Sequence, residues 1–190
     1  MMENKRKLHV GCGDIYLDGW INIDIRKDVK ADIYDDINKL DKIQDNSIDV
    51  LYSCHNLEHF GFNCVRPSFL DVLNVWIKKI RIGGKLYLSV PNLRNIGKAL
   101  FFSRDIRKHK AFIKAIYGGC EYPTNRHFMG FTKELLYDIL KEVGMQKIQK
   151  FEPFVNDTSK FVLYGCFCSI NVVATKPQGW SDDLLKDFRV

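Results

Sequence analysis

Short apolar runs alternate with polar turns along this chain, and two longer segments repeat apolar residues at helical spacing. The segments predicted as strands cover residues 7–11, 20–25, 31–35, 48–53, 85–90, 146–152 and 166–175. Helical periodicity extends from Pro67 to Ile80, with Gly83 and Gly84 beyond its end, and returns between Thr132 and Gly144. This alternation predicts an α/β protein whose parallel strands are joined by right-handed crossovers.

The segment after the fifth predicted strand departs from this alternation. Residues 95–117 predict an insertion-like helix, in which the spacing favours core packing for Phe101, Phe102 and Phe112. The following loop, residues 120–131, is rich in polar and aromatic groups, which suits contact with a substrate. We therefore expect one domain over residues 1–190, with a basic, helical, lid-like insertion at about 95–131.

Positive charge is concentrated in this insertion. The chain carries a net charge of +6, and the stretch from Lys98 to Lys114 alone contains six basic residues and one acidic residue. A solvated basic face on a packed helix would explain the cluster. A lid over an anionic substrate, a nucleic-acid patch and a surface that leans on a membrane remain open as alternatives.

Composition narrows the setting further. Hydrophobic residues make up 46% and charged residues 27% of the chain, as is ordinary for a globular protein. The sequence shows no apolar segment long enough to cross a membrane and no secretory signal. None of the six cysteines forms a Cys-x-x-Cys pair, which favours free thiols in a reducing compartment. We expect a cytoplasmic protein.

A glycine-rich turn closes the first predicted strand. Gly11, Cys12 and Gly13 allow a tight turn and a close approach of backbone to a ligand, and Asp24 ends the next strand, where a carboxylate can bind ribose hydroxyls. A nicotinamide fingerprint needs a third glycine and an acid about 20 residues on. Tyr16 occupies the third glycine position, and Asp24 follows Gly13 by only eleven residues. The pattern predicts a nucleoside site of another kind.

The chain resembles class I S-adenosylmethionine (SAM) methyltransferases, in a branch similar to type 11. Gly-Cys-Gly resembles the centre of their motif I, although His9 and Ile15 depart from it, and Leu57-Glu58-His59 resembles their Leu-Glu-His signature. The resemblance implies a Rossmann-like sheet of seven strands in the order 3-2-1-4-5-7-6. It also implies helices on both faces, a shortened first helix and a helical insertion after strand five.

The same resemblance implies which residues hold S-adenosylmethionine, with S-adenosylhomocysteine as the product. They are Gly11, Cys12, Gly13, Asp24, Ile25, Asp36, Ile37 and His55. Residues facing the acceptor are expected in the later loops: Asn92, Tyr122, Asn125 and Arg126.

A hydroxyl acceptor benefits from a general base, and histidine suits that task near neutral pH. The candidates are His59, His127 and His55. Residues 55–59 also fit the His-x-x-Glu-His pattern of zinc proteases, but they follow a predicted strand instead of lying within a long helix. No metal ligand is predicted, and whether a divalent metal assists the reaction stays open.

The expected function is methyl transfer from SAM to the hydroxyl of a small molecule or sugar. A glycan precursor is the expected acceptor because the short loop before Asp24 looks like that of predicted methyltransferases found beside surface-polysaccharide genes. RNA or protein methylation, and nucleoside binding without catalysis, are the alternatives. The sequence leaves the oligomeric state undetermined.

Overall fold

The computed structural model describes residues 5–62, 67–121 and 124–182. Its strands are β1 (Lys7–Val10), β2 (Ile21–Asp24), β3 (Ile33–Tyr34), β4 (Ile48–Cys54), β5 (Ile80–Pro91), β6 (Gln146–Lys150), β7 (Val162–Leu163), β8 (Cys166–Phe167) and β9 (Ser169–Thr175). Its α-helices are α1 (Phe69–Lys79), α2 (Leu93–Phe102), α3 (Ile106–Tyr117) and α4 (Lys133–Glu142). Short 3-10 helices span Leu57–His59 and Thr158–Lys160.

Seven of these strands form one sheet, in the order β3-β2-β1-β4-β5-β9-β6. Strands β1 to β5 pair in parallel, whereas β9 is antiparallel to both β5 and β6. Because β9 is the seventh sheet strand along the chain, this is the predicted order 3-2-1-4-5-7-6. The predicted Rossmann-like fold is confirmed.

The strand register brings the carboxyl ends of four parallel strands to one edge of the sheet. Val10 of β1 lies opposite Ile23 of β2 and Ser53 of β4, and Cys54 lies opposite Ser89 of β5. The chain order reverses between β1 and β4, and ligands of open α/β sheets bind at such a reversal. The fold thus directs the segments after β1, β2 and β4 toward one place.

Helix α1 and strand β5 meet without an intervening loop, which differs from the prediction. Ser68 caps α1 in a reciprocal capping box with Asp71. The helix ends at Lys79, and β5 begins at Ile80 instead of near residue 85. Gly83 and Gly84 therefore lie inside the strand and do not terminate the helix. The β4–β5 pairing shifts register between residues 48 and 50, which accommodates this irregular start.

The two faces of the sheet are covered differently. The buried residues of α1 and α4 share one hydrophobic cluster with Leu51, Leu86 and Val172. A second cluster, around Tyr52 and Val173, receives side chains from residues 15–20 and 151–155, and its members in the described part of the chain include no α-helical residue. The prediction of helices on both faces is therefore not met at this second cluster, where the described residues that cover the sheet come from loop segments. Turns replace the shortened first helix, because residues 11–20 carry no helical periodicity.

The predicted single helix over residues 95–117 is two helices. Asn92 caps α2, which ends at Phe102, and Asp105 caps α3 by accepting from the Arg107 amide. The prediction of core packing is correct for Phe112, which is buried between the two helices with Ile96. It is wrong for Phe101 and Phe102, whose side chains are 83% and 76% exposed.

Candidate active site

A cleft of about 840 Å³ opens at the carboxyl edge of the sheet. All eight residues predicted to hold the cofactor line it, as do the three candidate catalytic histidines. The predicted residues in its lining are Gly11, Cys12, Gly13, Asp24, Ile25, Asp36, Ile37, His55, His59, Asn125 and His127. Segments after β1, β2, β3 and β4 and a loop after α3 thus converge on one concave surface.

The turn after β1 has the backbone conformation that glycine favours. Gly11 and Gly13 have φ values of +61° and +53°, and the Cys12 amide donates to the Ile23 carbonyl at 3.0 Å. A Cβ on Gly11 would lie 2.1 Å from the Asn56 side-chain oxygen, whereas one on Gly13 would meet no atom within 4 Å. Gly11 is therefore packed tightly against Asn56, whereas the space next to the Cα of Gly13 is open.

Asp24 braces this turn from the end of β2. Its carboxylate accepts from the Gly13 amide at 2.7 Å and from the Arg26 amide at 2.8 Å, and only 6% of the residue is exposed. Each carboxylate oxygen has a further lone pair. Because Asp24 lines the cleft, those lone pairs can accept from the hydroxyls of a bound ribose.

A second carboxylate lies beyond the next strand. Asp36 lines the cleft and accepts from the Asn38 amide at 3.1 Å, which shapes the turn after β3. The neighbouring Ile37 carbonyl accepts from the Trp76 indole at 2.7 Å, so α1 anchors this turn. Ile25, also on the lining, is 52% exposed and presents an apolar surface there.

His9 occupies the position where motif I has an acid. The residue is 2% exposed, its ring stacks on Tyr52 with centroids 5.3 Å apart, and Nδ1 lies 3.3 Å from the Asn22 side-chain oxygen. Burial lowers the pKa of His9. The site therefore presents a neutral, hydrogen-bonded ring at this position.

Asn56 ties the two central strands together, and the sequence reasoning assigned it no role. Its amide nitrogen donates to the Val10 carbonyl at 3.1 Å and to the Cys54 carbonyl at 3.0 Å, with a longer contact to the Gly11 carbonyl at 3.3 Å. These bonds fix the turn formed by Gly11, Cys12 and Gly13, here called the cofactor turn, against the end of β4. The signal in the sequence was its position directly before Leu-Glu-His.

A cluster of one carboxyl group and three imidazoles lies beside this turn. Oε1 of Glu58 is 3.7 Å from Nδ1 of His55 and 3.9 Å from Nε2 of His127, and the His59 and His127 rings are 5.0 Å apart. Glu58 is fully buried, and neither of its carboxyl oxygens has a hydrogen-bond partner. In the sequence, Glu58 stands out only as part of the Leu-Glu-His signature.

Hydrogen bonds orient two of these rings. Nδ1 of His59 donates to the Arg126 carbonyl at 2.9 Å, which leaves Nε2 unprotonated. The Ser169 hydroxyl donates to the Thr158 carbonyl, so Nε2 of His55 is the donor in its 2.8 Å bond to Ser169. Both assignments leave the other ring nitrogen as an acceptor.

Burial dominates the electrostatics of this cluster. It raises the pKa of the Glu58 carboxyl to about 8. Burial and, secondarily, the neighbouring His127 lower the pKa of His55 to about 3, and burial together with His59 lowers the pKa of His127 to about 4. The pKa of His59 is lowered by burial as well. The three imidazoles are thereby kept neutral at pH 7.

The remaining predicted acceptor residues lie in different places. Asn125 lines the cleft, while Arg126 contributes the carbonyl that orients His59. Asn92 caps α2 through the Asn95 amide and is not among the cleft residues. Tyr122 lies outside the described residues.

Residues near the end of the chain close the cleft, and sequence reasoning missed them. Asp157 and Thr158 line it, and Asp157 accepts from the Tyr52 hydroxyl at 2.5 Å. Thr158 lies 3.1 Å from the Cys54 thiol, measured between Oγ1 and Sγ. These contacts join β4 to a segment about 100 residues later, which no local pattern reveals.

Comparison with solved structures agrees with the topology. A SAM-dependent methyltransferase from Archaeoglobus fulgidus matches with a TM-score of 0.56 and 16% identity, over 90% of this chain and 86% of that one. The chain has the methyltransferase fold. A SAM-dependent methyltransferase from Thermotoga maritima matches with a TM-score of 0.56 and 15% identity, over 93% and 84% of the two chains.

The fold also matches a larger protein. Phosphoethanolamine N-methyltransferase 2 from Haemonchus contortus, solved with phosphomonomethylethanolamine and S-adenosylhomocysteine, gives a TM-score of 0.57 at 12% identity, over 94% of this chain. The present chain spans only 50% of that protein. No protein-family model and no curated protein matches the sequence. Within the described residues, no helix combines the length and apolar character needed to cross a membrane.

Proposed function

We propose that this protein transfers a methyl group from S-adenosylmethionine to a hydroxyl group of a small molecule or sugar. The observation that carries the proposal is that one cleft contains both the glycine turn with its two carboxylates and the histidine cluster. The first set suits a nucleoside and the second suits an acceptor. The methyltransferase fold supports this assignment.

The residues of the cofactor side fit the proposed ligand. Asp24 and Asp36 follow adjacent strands, as expected for groups that contact ribose and adenine, and the open space above Gly13 lets backbone approach the ligand. When bound, S-adenosylmethionine supplies a methyl group on an electrophilic sulfonium. The protein must then chiefly hold the acceptor in line with that methyl group.

The acceptor side carries groups that can receive a proton. The bond from His59 to the Arg126 carbonyl leaves Nε2 of His59 unprotonated, so this atom can accept a hydrogen bond from an acceptor hydroxyl. His127 lies edge-on to His59 and narrows the same part of the cleft. His55, bonded to Ser169, is expected to pack nearer the cofactor.

Residues 95–131 would act as a lid over the acceptor. The amide of His127 donates to the Tyr117 carbonyl at 3.1 Å, so the end of α3 is joined to the loop that carries His127. Movement of α3 would therefore move an acceptor-side histidine. Basic side chains of α3 do not line the cleft, and Arg107 and Lys114 pair with Asp105 and Glu121. They would favour an anionic acceptor, such as a phosphorylated sugar or glycan precursor, only through the positive charge of this helix near the cleft.

A reducing compartment such as the cytoplasm suits the thiols. The cysteines of the described residues, Cys12, Cys54, Cys120, Cys166 and Cys168, are all free. Cys64 lies outside those residues.

Calorimetric titration with SAM and S-adenosylhomocysteine tests the cofactor assignment. We expect both to bind, and Asp24→Ala to weaken both by at least about tenfold, since two charge-assisted hydrogen bonds would be lost. Asp41→Ala, which removes an exposed carboxylate outside the cleft, is the matched control. A folded protein that binds neither compound would contradict the proposal.

Acceptor screening then tests the reaction. Formation of S-adenosylhomocysteine is measured with nucleotide sugars, sugar phosphates and RNA as separate acceptor sets. Turnover on hydroxylated sugars is expected, and it should fall in His59→Ala and His127→Ala more than the affinity for SAM does. Turnover on RNA alone, with strong salt dependence, would favour the nucleic-acid alternative. Binding of SAM without turnover on any set would favour a binding protein.

A further inference from the structure

We propose that Glu58, His59 and His127 form a binding site for one divalent transition-metal cation. Each side chain offers one ligand atom, and the three atoms lie within 4.8 Å of one another. The site adjoins the cleft through both histidines. The metal site deepens the proposed function. The role suggested for the ion in the reaction rests on that function, whereas binding of the ion does not.

The spacing of the ligand atoms suits a shared ion. Oε1 of Glu58 lies 3.9 Å from Nε2 of His127. Two ligands at about 2.1 Å from a tetrahedral ion are about 3.4 Å apart. The pair measured here would have to close by about 0.5 Å, and no pair of the three ligand atoms is more than 4.8 Å apart.

The state of Glu58 points independently to a ligand. Its side chain is 0% exposed, and both carboxyl oxygens are buried without a hydrogen-bond partner. A buried carboxylate is costly unless it is paired or coordinates a metal. No Lys or Arg forms an ion pair with Glu58 among the described contacts, whereas two imidazoles approach it. A cation between the carboxylate and the rings would satisfy this group.

The backbone around the cluster is built to hold these positions. Glu58 and His59 share a single 3-10 turn, Leu57–His59. The Glu58 carbonyl accepts from the amides of Phe128 at 2.8 Å and Met129 at 3.1 Å, which fastens the loop carrying His127 to the same turn. The three side chains thus come from two segments joined by direct hydrogen bonds.

His59 also has the outer partner that metal-binding histidines use. Its Nδ1 donates to the Arg126 carbonyl, which leaves Nε2 unprotonated and able to act as a ligand. Nδ1 of His55 lies 3.7 Å from the same Glu58 oxygen, Oε1, and the His55 ring is held by Ser169. His55 is not among the three ligands, because its Nε2 donates to Ser169 and the cluster that can share an ion consists of Glu58, His59 and His127.

The donor set indicates the class of ion. Two imidazoles and one carboxylate suit Zn²⁺, Fe²⁺ and similar ions, whereas Mg²⁺ and Ca²⁺ prefer sites made of oxygen atoms alone. Three protein ligands leave a position open, and the histidines present it to the cleft. With the ion bound, the lone pair of His59 is used for coordination and no longer accepts from the acceptor hydroxyl. A hydroxyl bound to the ion would instead lose its proton to solvent more readily. The O–C bond would then form as the C–S bond of the methyl donor breaks, with the electron pair remaining on sulfur.

Titration with Co²⁺ tests the site without relying on activity. Tag-free protein is stripped with chelator and titrated while its visible d–d absorption is recorded, and Zn²⁺ binding is measured by calorimetry. We expect one Co²⁺ per chain, displaced by Zn²⁺. His59→Asn, His127→Asn and Glu58→Gln should each weaken binding more than about 100-fold, since outer partners alone can cost 10- to 100-fold.

His109→Asn is the matched control, because that histidine bonds to the Ser103 carbonyl away from the cleft. Should Glu58→Gln fail to fold, the two histidine variants decide the matter. Failure of the folded wild type to bind Co²⁺ stoichiometrically would overturn the proposal. So would binding that survives both histidine substitutions, or a thiolate charge-transfer band lost in Cys120→Ser.

The same protein separates the two hypotheses. SAM binding to the metal-free protein is measured in parallel. A protein that binds SAM but fails to bind Co²⁺ would refute the metal site and leave the proposed function standing. Binding of Co²⁺ without SAM would do the reverse, since the metal site would stand and the methyltransferase assignment would fail.

Discussion

Replacement of Gly11 by alanine tests the packing of the cofactor turn most directly. The added Cβ would lie 2.1 Å from the Asn56 side-chain oxygen, so Asn56 must move. Movement sacrifices its bonds to the Val10 and Cys54 carbonyls, worth about 1 kcal/mol each. The left-handed backbone at φ +61° adds about 1–2 kcal/mol of strain for a residue with a Cβ.

The expected loss in free energy of unfolding for Gly11→Ala is therefore about 3–4 kcal/mol. Gly13→Ala is the matched control, because φ there is +53° and a Cβ would meet no atom within 4 Å. Backbone strain alone predicts a loss of about 1–2 kcal/mol for that variant. Urea unfolding followed by circular dichroism measures both losses.

A double-mutant cycle with Asn56→Ala decides whether the contact is the cause. Asn56→Ala alone removes the same hydrogen bonds and should cost about 2 kcal/mol. In that background, Gly11→Ala should add only the strain, about 1–2 kcal/mol. If the two losses add in full, to about 5–6 kcal/mol, the substitutions are independent and the reasoning from the close approach is wrong.

Other regions yield further predictions. Tyr52→Phe removes the hydroxyl bonded to Asp157 and should lower the free energy of unfolding by about 1–3 kcal/mol, measured in urea, with weaker SAM binding in calorimetry as the segment lining the cleft loosens. A loss below about 0.3 kcal/mol would show that this bond does not hold the segment. Phe101→Ser should leave the midpoint of thermal unfolding unchanged, within the effect of about 0.5 kcal/mol typical of surface sites, because the ring is 83% exposed. A larger fall would mean that the ring is covered in solution. Burial and the nearby Asp24 raise the pKa of the Cys12 thiol to about 11, so iodoacetamide at about pH 8 should modify the exposed Cys120 long before Cys12. Peptide mass mapping measures the order, and early modification of Cys12 would contradict it.

Most of the sheet could be predicted from sequence because its central strands are local apolar runs, whereas β6 has a single apolar residue, Ile148. The order of the strands came from resemblance, and the register came only with the structure. The break between α2 and α3 was missed since the helical periodicity continues across residues 103–105, where Asp105 caps a new helix. The early start of β5 was missed because Gly83 and Gly84 look like a helix stop, although a bulged strand also accepts glycine.

The cofactor side of the cleft was easier to predict than the acceptor side. Gly11, Gly13 and Asp24 lie within a few residues of strand ends, so their convergence follows from the fold. The burial of Glu58 depends on contacts with residues 127–129, and Asp157 reaches the cleft from the last part of the chain. Such long-range contacts leave no periodic or compositional signal.

The way in which the loop after α3 is fastened bears on how acceptor preference can evolve. Both hydrogen bonds to the Glu58 carbonyl come from backbone amides, of Phe128 and Met129, and no side chain takes part in them. Met129 and Phe131 are buried in the core, but substitutions at Thr124 and Phe128, which are exposed and line the cleft, can accumulate without loosening the loop. A lineage could exchange one acceptor for another by drift at these positions, while the machinery beside the cofactor is inherited unchanged.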